Sequence, residues 1–152
     1  MALAILLFAA GSAGPAQAGP KNLGLGLVLG EPTAVSGKVW MNSENAFDFA
    51  IGGFGYYYGR HYGGLNVHGD YLWHRYGVFG GPGEDAGRKM PLYLGLGGLF
   101  ASPDVAGVRG VIGVTYLFDA PFDVFFELAP TMVVVPFAGF GIDAGLGGRF
   151  YF

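Results

Sequence analysis

The chain has 152 residues, of which 52% are hydrophobic and only 12% charged, and its formal net charge is −3. One domain follows from that length, and so little charge leaves too few polar groups to cover a water-soluble surface. Cysteine is absent, which excludes disulfides and thiolate metal sites, and eight basic against eleven acidic residues provide no basic face for nucleic acid.

Residues 1–18, MALAILLFAAGSAGPAQA, have the form of a cleaved secretory leader. Ala2–Ala10 is the apolar stretch and Ala16-Gln17-Ala18 the small-residue cleavage pattern. No Lys or Arg precedes the apolar stretch, the one departure from that form, and the competing assignment is an N-terminal strand or buried helix. The mature chain, expected to start near Gly19, contains no run approaching the roughly 20 apolar residues of a spanning helix. With helices eliminated, a closed barrel is the other structure that satisfies its backbone hydrogen bonds in lipid.

Period-two alternation, the mark of two-faced strands, recurs along the mature chain. Leu23, Leu25, Leu27 and Leu29 alternate with Gly24, Gly26, Val28 and Gly30 up to a turn at Glu31-Pro32. A second strand over 33–41 sets Val35, Val39 and Met41 against Ser36, Lys38 and Trp40, and Asn42–Asn45 is turn chemistry. The third, over 46–54, sets Phe47, Phe49 and Ile51 against Asp48 and small residues, and a Tyr- and Gly-rich loop is expected over 55–64. The fourth sets Leu65, Val67, Tyr71 and Trp73 against Asn66, His68, Asp70, Leu72 and His74. The longest irregular stretch is expected over 77–90.

Leu92, Leu94 and Leu96 then alternate with Tyr93, Gly95 and Gly97 in a fifth strand over 91–100, closed by the turn Ser102-Pro103-Asp104. The sixth, over 108–118, sets Ile112, Val114, Tyr116 and Phe118 against Arg109, Gly113 and Thr115. After Asp119-Ala120-Pro121, the seventh sets Val124, Phe126 and Leu128 against Asp123, Phe125 and Glu127. The eighth, over 139–152, ends with Phe150 and Phe152 opposite Asp143, Arg149 and Tyr151.

Eight strands place both termini on one side, as single-chain bacterial barrels require. One face is almost wholly bulky and apolar; the other mixes charged residues with Gly, Ser, Thr and Asn, and Arg75 falls at a strand end. The interior of eight strands is narrow and filled by side chains, so the small and charged face is expected inside and the bulky apolar face toward lipid. The expected fold is all-β: a transmembrane, antiparallel, up-and-down β-barrel of about eight strands over 19–152.

An interior ionic network is expected from Lys38, Arg109 and Arg149 with Asp48, Asp70, Glu127 and Asp143, centred on Arg109, Arg149 and Glu127, since charges in so narrow a space need partners. Trp40, Tyr71, Trp73, Tyr116, Phe118 and Phe122 fall near strand ends, where aromatic girdles sit. Tyr56, Tyr57, Tyr58 and Tyr62 pack on themselves or contact a ligand. Nucleophilic chemistry finds few candidates: Ser36, Ser43 and Ser102 are the serines of the mature chain, and two of them fall in turns. His68 and His74 lie about 20 Å apart along their strand, too far to share a metal, while His68 and Asp70 form an interior pair. Gly139–Ala144 matches a dinucleotide fingerprint in letters only, without its strand-to-helix context.

Taken in order, Leu29-Gly30-Glu31-Pro32-Thr33, Ser36-Gly37-Lys38 with Trp40, Asp70-Tyr71-Leu72-Trp73-His74, Thr115-Tyr116-Leu117-Phe118, Asp123–Pro130 and Arg149-Phe150-Tyr151-Phe152 resemble an uncharacterised family of small eight-stranded outer-membrane β-barrel proteins. The likeness spans the mature chain and implies the barrel fold without an activity. Gly147, Phe150 and Phe152 also resemble the C-terminal signal read by the barrel-assembly machinery, with Gly145 where a polar residue is usual.

The sequence thus leads to a monomer in the outer membrane of a Gram-negative-type bacterium. Its partners are membrane lipid and, during biogenesis, the assembly machinery, with no cofactor, no metal and no nucleic acid. A structural or surface-interaction role with a plugged interior is expected. A narrow channel or small-ligand carrier is the first alternative and a lipid-modifying enzyme the second.

Overall fold

A computed structural model describes residues 22–80 and 84–152, apart from the side chains of residues 56, 57 and 62. The expected leader therefore lies outside the described residues. The strands are β1 (Leu23–Glu31), β2 (Thr33–Trp40), β3 (Asn45–Tyr57), β4 (Arg60–Arg75), β5 (Leu92–Ala101), β6 (Val105–Leu117), β7 (Phe122–Val135) and β8 (Gly139–Tyr151), with a short helix α1 (Asp85–Lys89) between β4 and β5. Each strand pairs antiparallel with the next, and β1 pairs with β8 from Gly24 opposite Tyr151 to Glu31 opposite Ala144, which closes the barrel. Among the described residues no helix is long and apolar enough to cross a membrane.

Alternation decides which side chain faces where. The outward leucines of β1 are among the most exposed in the molecule, Leu29 at 63%, as is Phe140 at 65% on β8. The buried set inside the barrel includes Lys38, Asp48, Asp70, Arg109, Glu127, Asp143 and Arg149. A soluble protein distributes these classes the other way round. Two outward glycines are roofed by neighbouring rings, Gly37 by Phe49 and Gly69 by Phe47, an arrangement that restores packing where a strand lacks a side chain.

The two ends differ. At the end carrying the termini, Asn42 Oδ1 accepts hydrogen bonds from the backbone N–H groups of Glu44 (2.9 Å) and Asn45 (2.8 Å) in the β2–β3 turn. The stretch over 77–90, expected to be irregular, includes α1, whose Lys89 is tied to Asp119 of the β6–β7 turn at 2.6 Å.

At the opposite end the expected loop over 55–64 is a hairpin. The ladder between β3 and β4 continues to Tyr57 opposite Arg60, and the turn residues Tyr58 and Gly59 both have positive φ, 53° and 73°, the conformation of the tightest hairpin turns. Its tyrosines had suggested a loop because aromatic alternation among glycines carries little period. A register shift between Gly53 and Gly55, with Phe54 at φ 68°, bends this hairpin over the barrel mouth. There Tyr57 pairs with Gly141 of β8, and the Tyr58 hydroxyl donates to the Phe137 carbonyl at 2.5 Å. Above the short β1–β2 turn the wall is therefore six-stranded. β7 also runs on to Val135, through Pro130, whose ring faces outward.

Candidate functional site: the barrel interior

Inward glycines make the room that the long side chains occupy. A methyl group at Gly97 would strike the Asp70 carboxylate, at Gly113 the Tyr93 ring and at Gly147 the Phe125 ring. These Gly positions on β5, β6 and β8 face large residues on β4, β5 and β7 and leave them the room they occupy.

From the hairpin end downward, the first layer is apolar: Leu99, Ala101, Val105 and Val133, with Tyr58 against them. Below it lies Arg109, 1% exposed. Its Nε is 3.1 Å from Asp70, one Nη 3.3 Å from Glu127 and the other 3.7 Å from Asp143. His68 Nε2 stands 3.9 Å from Asp70, beyond hydrogen-bond length. Glu127 also accepts from the Tyr93 hydroxyl at 3.1 Å.

Two further apolar groups, Val28–Ala34–Ala50–Phe125 and Leu72–Tyr93–Val111–Ala129, also pack inside the barrel. The guanidinium of Arg149 stacks on Phe125 at 3.7 Å. Arg149 donates to Ser36 Oγ at 2.9 Å and to Asp48 at 2.5 Å, and lies 3.9 Å from Asp123. Asp123 accepts from the Tyr151 hydroxyl at 2.6 Å.

At the mouth beside the termini, Lys38 Nζ donates to His74 Nε2 at 2.9 Å and sits 4.2 Å from the Trp40 ring centre. The other ring nitrogen of His74, Nδ1, faces the Glu44 carbonyl at 3.0 Å. A carbonyl only accepts, so Nδ1 carries the hydrogen and Nε2 is free to accept from the ammonium.

The seven residues expected to form an ionic network are all buried, but they are not centred on Arg109, Arg149 and Glu127 together. Arg109 and Arg149 head separate clusters, Glu127 belongs to the first, and among the described residues Lys38 is within ion-pair distance of no carboxylate. Sequence reasoning omitted Asp123 from the network, though the alternation placed it inward and its exposure is 0%. Ser36, Tyr93, His74 and Tyr151 gave no signal beyond their parity.

Of the expected aromatic girdle, Tyr71 and Trp73 contact each other at 4.9 Å between ring centres, and Tyr116, Phe118 and Phe122 form a chain of contacts at 4.7 and 5.5 Å. Trp40 is a correction. It shares the inward parity of Ser36 and Lys38 and packs on His74 at 4.4 Å, because the Lys38 ammonium and the open mouth offer its indole more than the outer face does. Gly147 faces inward beneath Phe125, while Phe150 and Phe152 face outward and meet edge to face at 5.2 Å. The side chains of Tyr56, Tyr57 and Tyr62 lie outside the description; Tyr58 packs on Phe137.

A closed antiparallel barrel of eight strands, apolar outside and ionic within, is the construction found in transmembrane β-barrels, and it defines the fold class of this chain. It resembles a solved structure, the N-terminal β-barrel domain of Pseudomonas aeruginosa OprF, with a TM-score of 0.57 over 86% of this chain and 95% of that one, at 17% identity. At that identity the likeness is one of fold. No protein-family model matches the chain, and no curated protein sequence matches it significantly. Its resemblance to a family of small outer-membrane barrels therefore stands on the motifs alone.

Proposed function

We propose that the chain is an integral protein of the outer membrane of a Gram-negative-type bacterium, with a plugged interior and a structural or surface-interaction role. It neither conducts nor catalyses. The observation that carries this reading is the filling of the lumen: Arg109 and Arg149, at 1% and 2% exposure, each bind carboxylates drawn from strands on different sides of the barrel. An ion entering from either mouth would have to displace these pairs or the apolar layer above them. Ser36, the one serine inside among the described residues, is engaged by Arg149, and among those residues no hydrogen bond joins its hydroxyl to a base that would activate it. The assembly machinery would read Gly147, Phe150 and Phe152 at the last strand.

Planar-bilayer recording tests the plug. The refolded wild-type barrel is expected to show no steady conductance. Steady wild-type conductance that is unchanged in Glu127→Gln and Arg149→Gln would overturn the plug and establish the channel.

A further inference from the structure

β1 and β2 are the shortest strands, nine and eight residues against thirteen for β8 and fourteen for β7. A strand rises about 3.3 Å per residue and tilts about 40° in such a barrel, so each residue adds about 2.5 Å of height. On β1 the outward apolar run from Leu23 ends at Glu31, about 20 Å up, whereas the runs Phe122–Val134 and Phe152–Phe140 reach about 30 Å. The near ends lie close together, with Gly24 of β1 opposite Tyr151 of β8 and Phe122 of β7 opposite Phe150, so the shortfall lies at the far rim.

That shortfall is a notch and not a general slant. Directly above the β1–β2 turn the wall resumes, because β3 and β8 pair at Tyr57 and Gly141. The notch is polar. Glu31 continues the outward parity of Leu27 and Leu29, and its side chain is 31% exposed and lies 2.6 Å from His61 Nδ1. Thr33 is exposed beside it, its hydroxyl donating to the Gly30 carbonyl at 2.9 Å. On one flank stand Ile142 and Phe140, and on the other Phe54, all exposed and apolar.

A hydrocarbon layer that covered those flanks at uniform thickness would bury a carboxylate and an imidazole on the lipid face, at a cost of several kcal/mol. Thinning the layer locally costs only fractions of a kcal/mol per Å. We propose that the polar layer of the bilayer dips at the β1–β2 hairpin, and that lipid headgroups with their water occupy the notch of Glu31, Thr33 and His61. This rests on the membrane reading above.

Single-cysteine variants test it, since the chain has no native cysteine. Thr33→Cys and Val108→Cys would carry a spin label in vesicles of pure dioleoylphosphatidylcholine. Val108 is outward on β6, across the barrel, and strand tilt sets it about 3 Å higher than Thr33. Collisions with oxygen report hydrocarbon, and collisions with a nickel chelate report water. The expected result is oxygen-dominated collision at Val108 and a several-fold higher nickel-to-oxygen ratio at the deeper Thr33. Oxygen dominance at both overturns the notch and leaves the membrane reading standing; nickel dominance at both overturns the membrane reading. Adding Glu31→Leu to Thr33→Cys should lower nickel collision several-fold. No change there would overturn the role given to the carboxylate.

Discussion

Arg109 faces three carboxylates, and that imbalance makes the two sides of its cluster unequal under mutation. Asp70, Glu127 and Asp143 approach it at 3.1, 3.3 and 3.7 Å, and each pair is worth about 5 kcal/mol of Coulomb attraction at an effective dielectric of about 20, before desolvation is charged against it. Arg109→Met strands all three acids in a dry interior, and its cost should reach or exceed the roughly 3–5 kcal/mol measured when one partner of a buried pair is removed. Asp143→Asn removes the most distant acid together with its repulsion of the other two, leaves Arg109 with two partners, and should cost far less than the Arg109→Met change. Urea titrations of the folded and refolding barrel in phospholipid vesicles read both values. A cost for Asp143→Asn equal to that of Arg109→Met, or an Arg109→Met cost near zero, would refute the idea that a single guanidinium holds this layer together.

Ile112→Lys, outward on β6, should cost about 2–4 kcal/mol in the same titrations, while Phe118→Lys beyond the strand end should cost no more than about 1 kcal/mol; the reverse order would refute the placement of Ile112 near the bilayer midplane. Gly97→Ala should destabilise by about 1–3 kcal/mol through overpacking against Asp70, and Asp70→Gly in the same chain should recover little, because Arg109 then loses its nearest acid. Deleting Phe152 should lower assembly in cells more than refolding into detergent, measured as the heat-modifiable fraction on gels; equal losses would leave Phe152 only a packing role.

Alternation made most of the barrel legible. The runs Leu23–Leu29 and Leu92–Leu96 declare their two faces because every intervening residue but Val28 is glycine or tyrosine, and the polar parity of Lys38, Asp48 and Arg109 could only be inward in a lipid-exposed sheet. What stayed hidden depended on geometry across strands. The hairpin at Tyr58-Gly59 read as a loop because a bulge at Phe54 interrupts the period. Trp40 read as a girdle residue from its place at a strand end, although its parity pointed inward. Which acid meets which arginine depends on barrel stagger and side-chain length, neither of which has a period to read. Tyr151 carries its hydroxyl to Asp123 on the neighbouring strand and Tyr93 carries its hydroxyl to Glu127 two strands away, pairings that no period in the sequence announces.

Arg149 belongs to the last strand, yet its side chain passes the seam with β1 to bind Ser36 and Asp48, residues 113 and 101 positions earlier in the chain. Contacts of such sequence separation form only after the ends of the chain have been brought together. In a sheet that has every hairpin but remains open, this arginine would keep Asp123 of the adjoining strand but would lack Ser36 and Asp48. Closing the backbone seam is thus what brings Ser36 and Asp48 to Arg149, and these contacts latch the first three strands to the last.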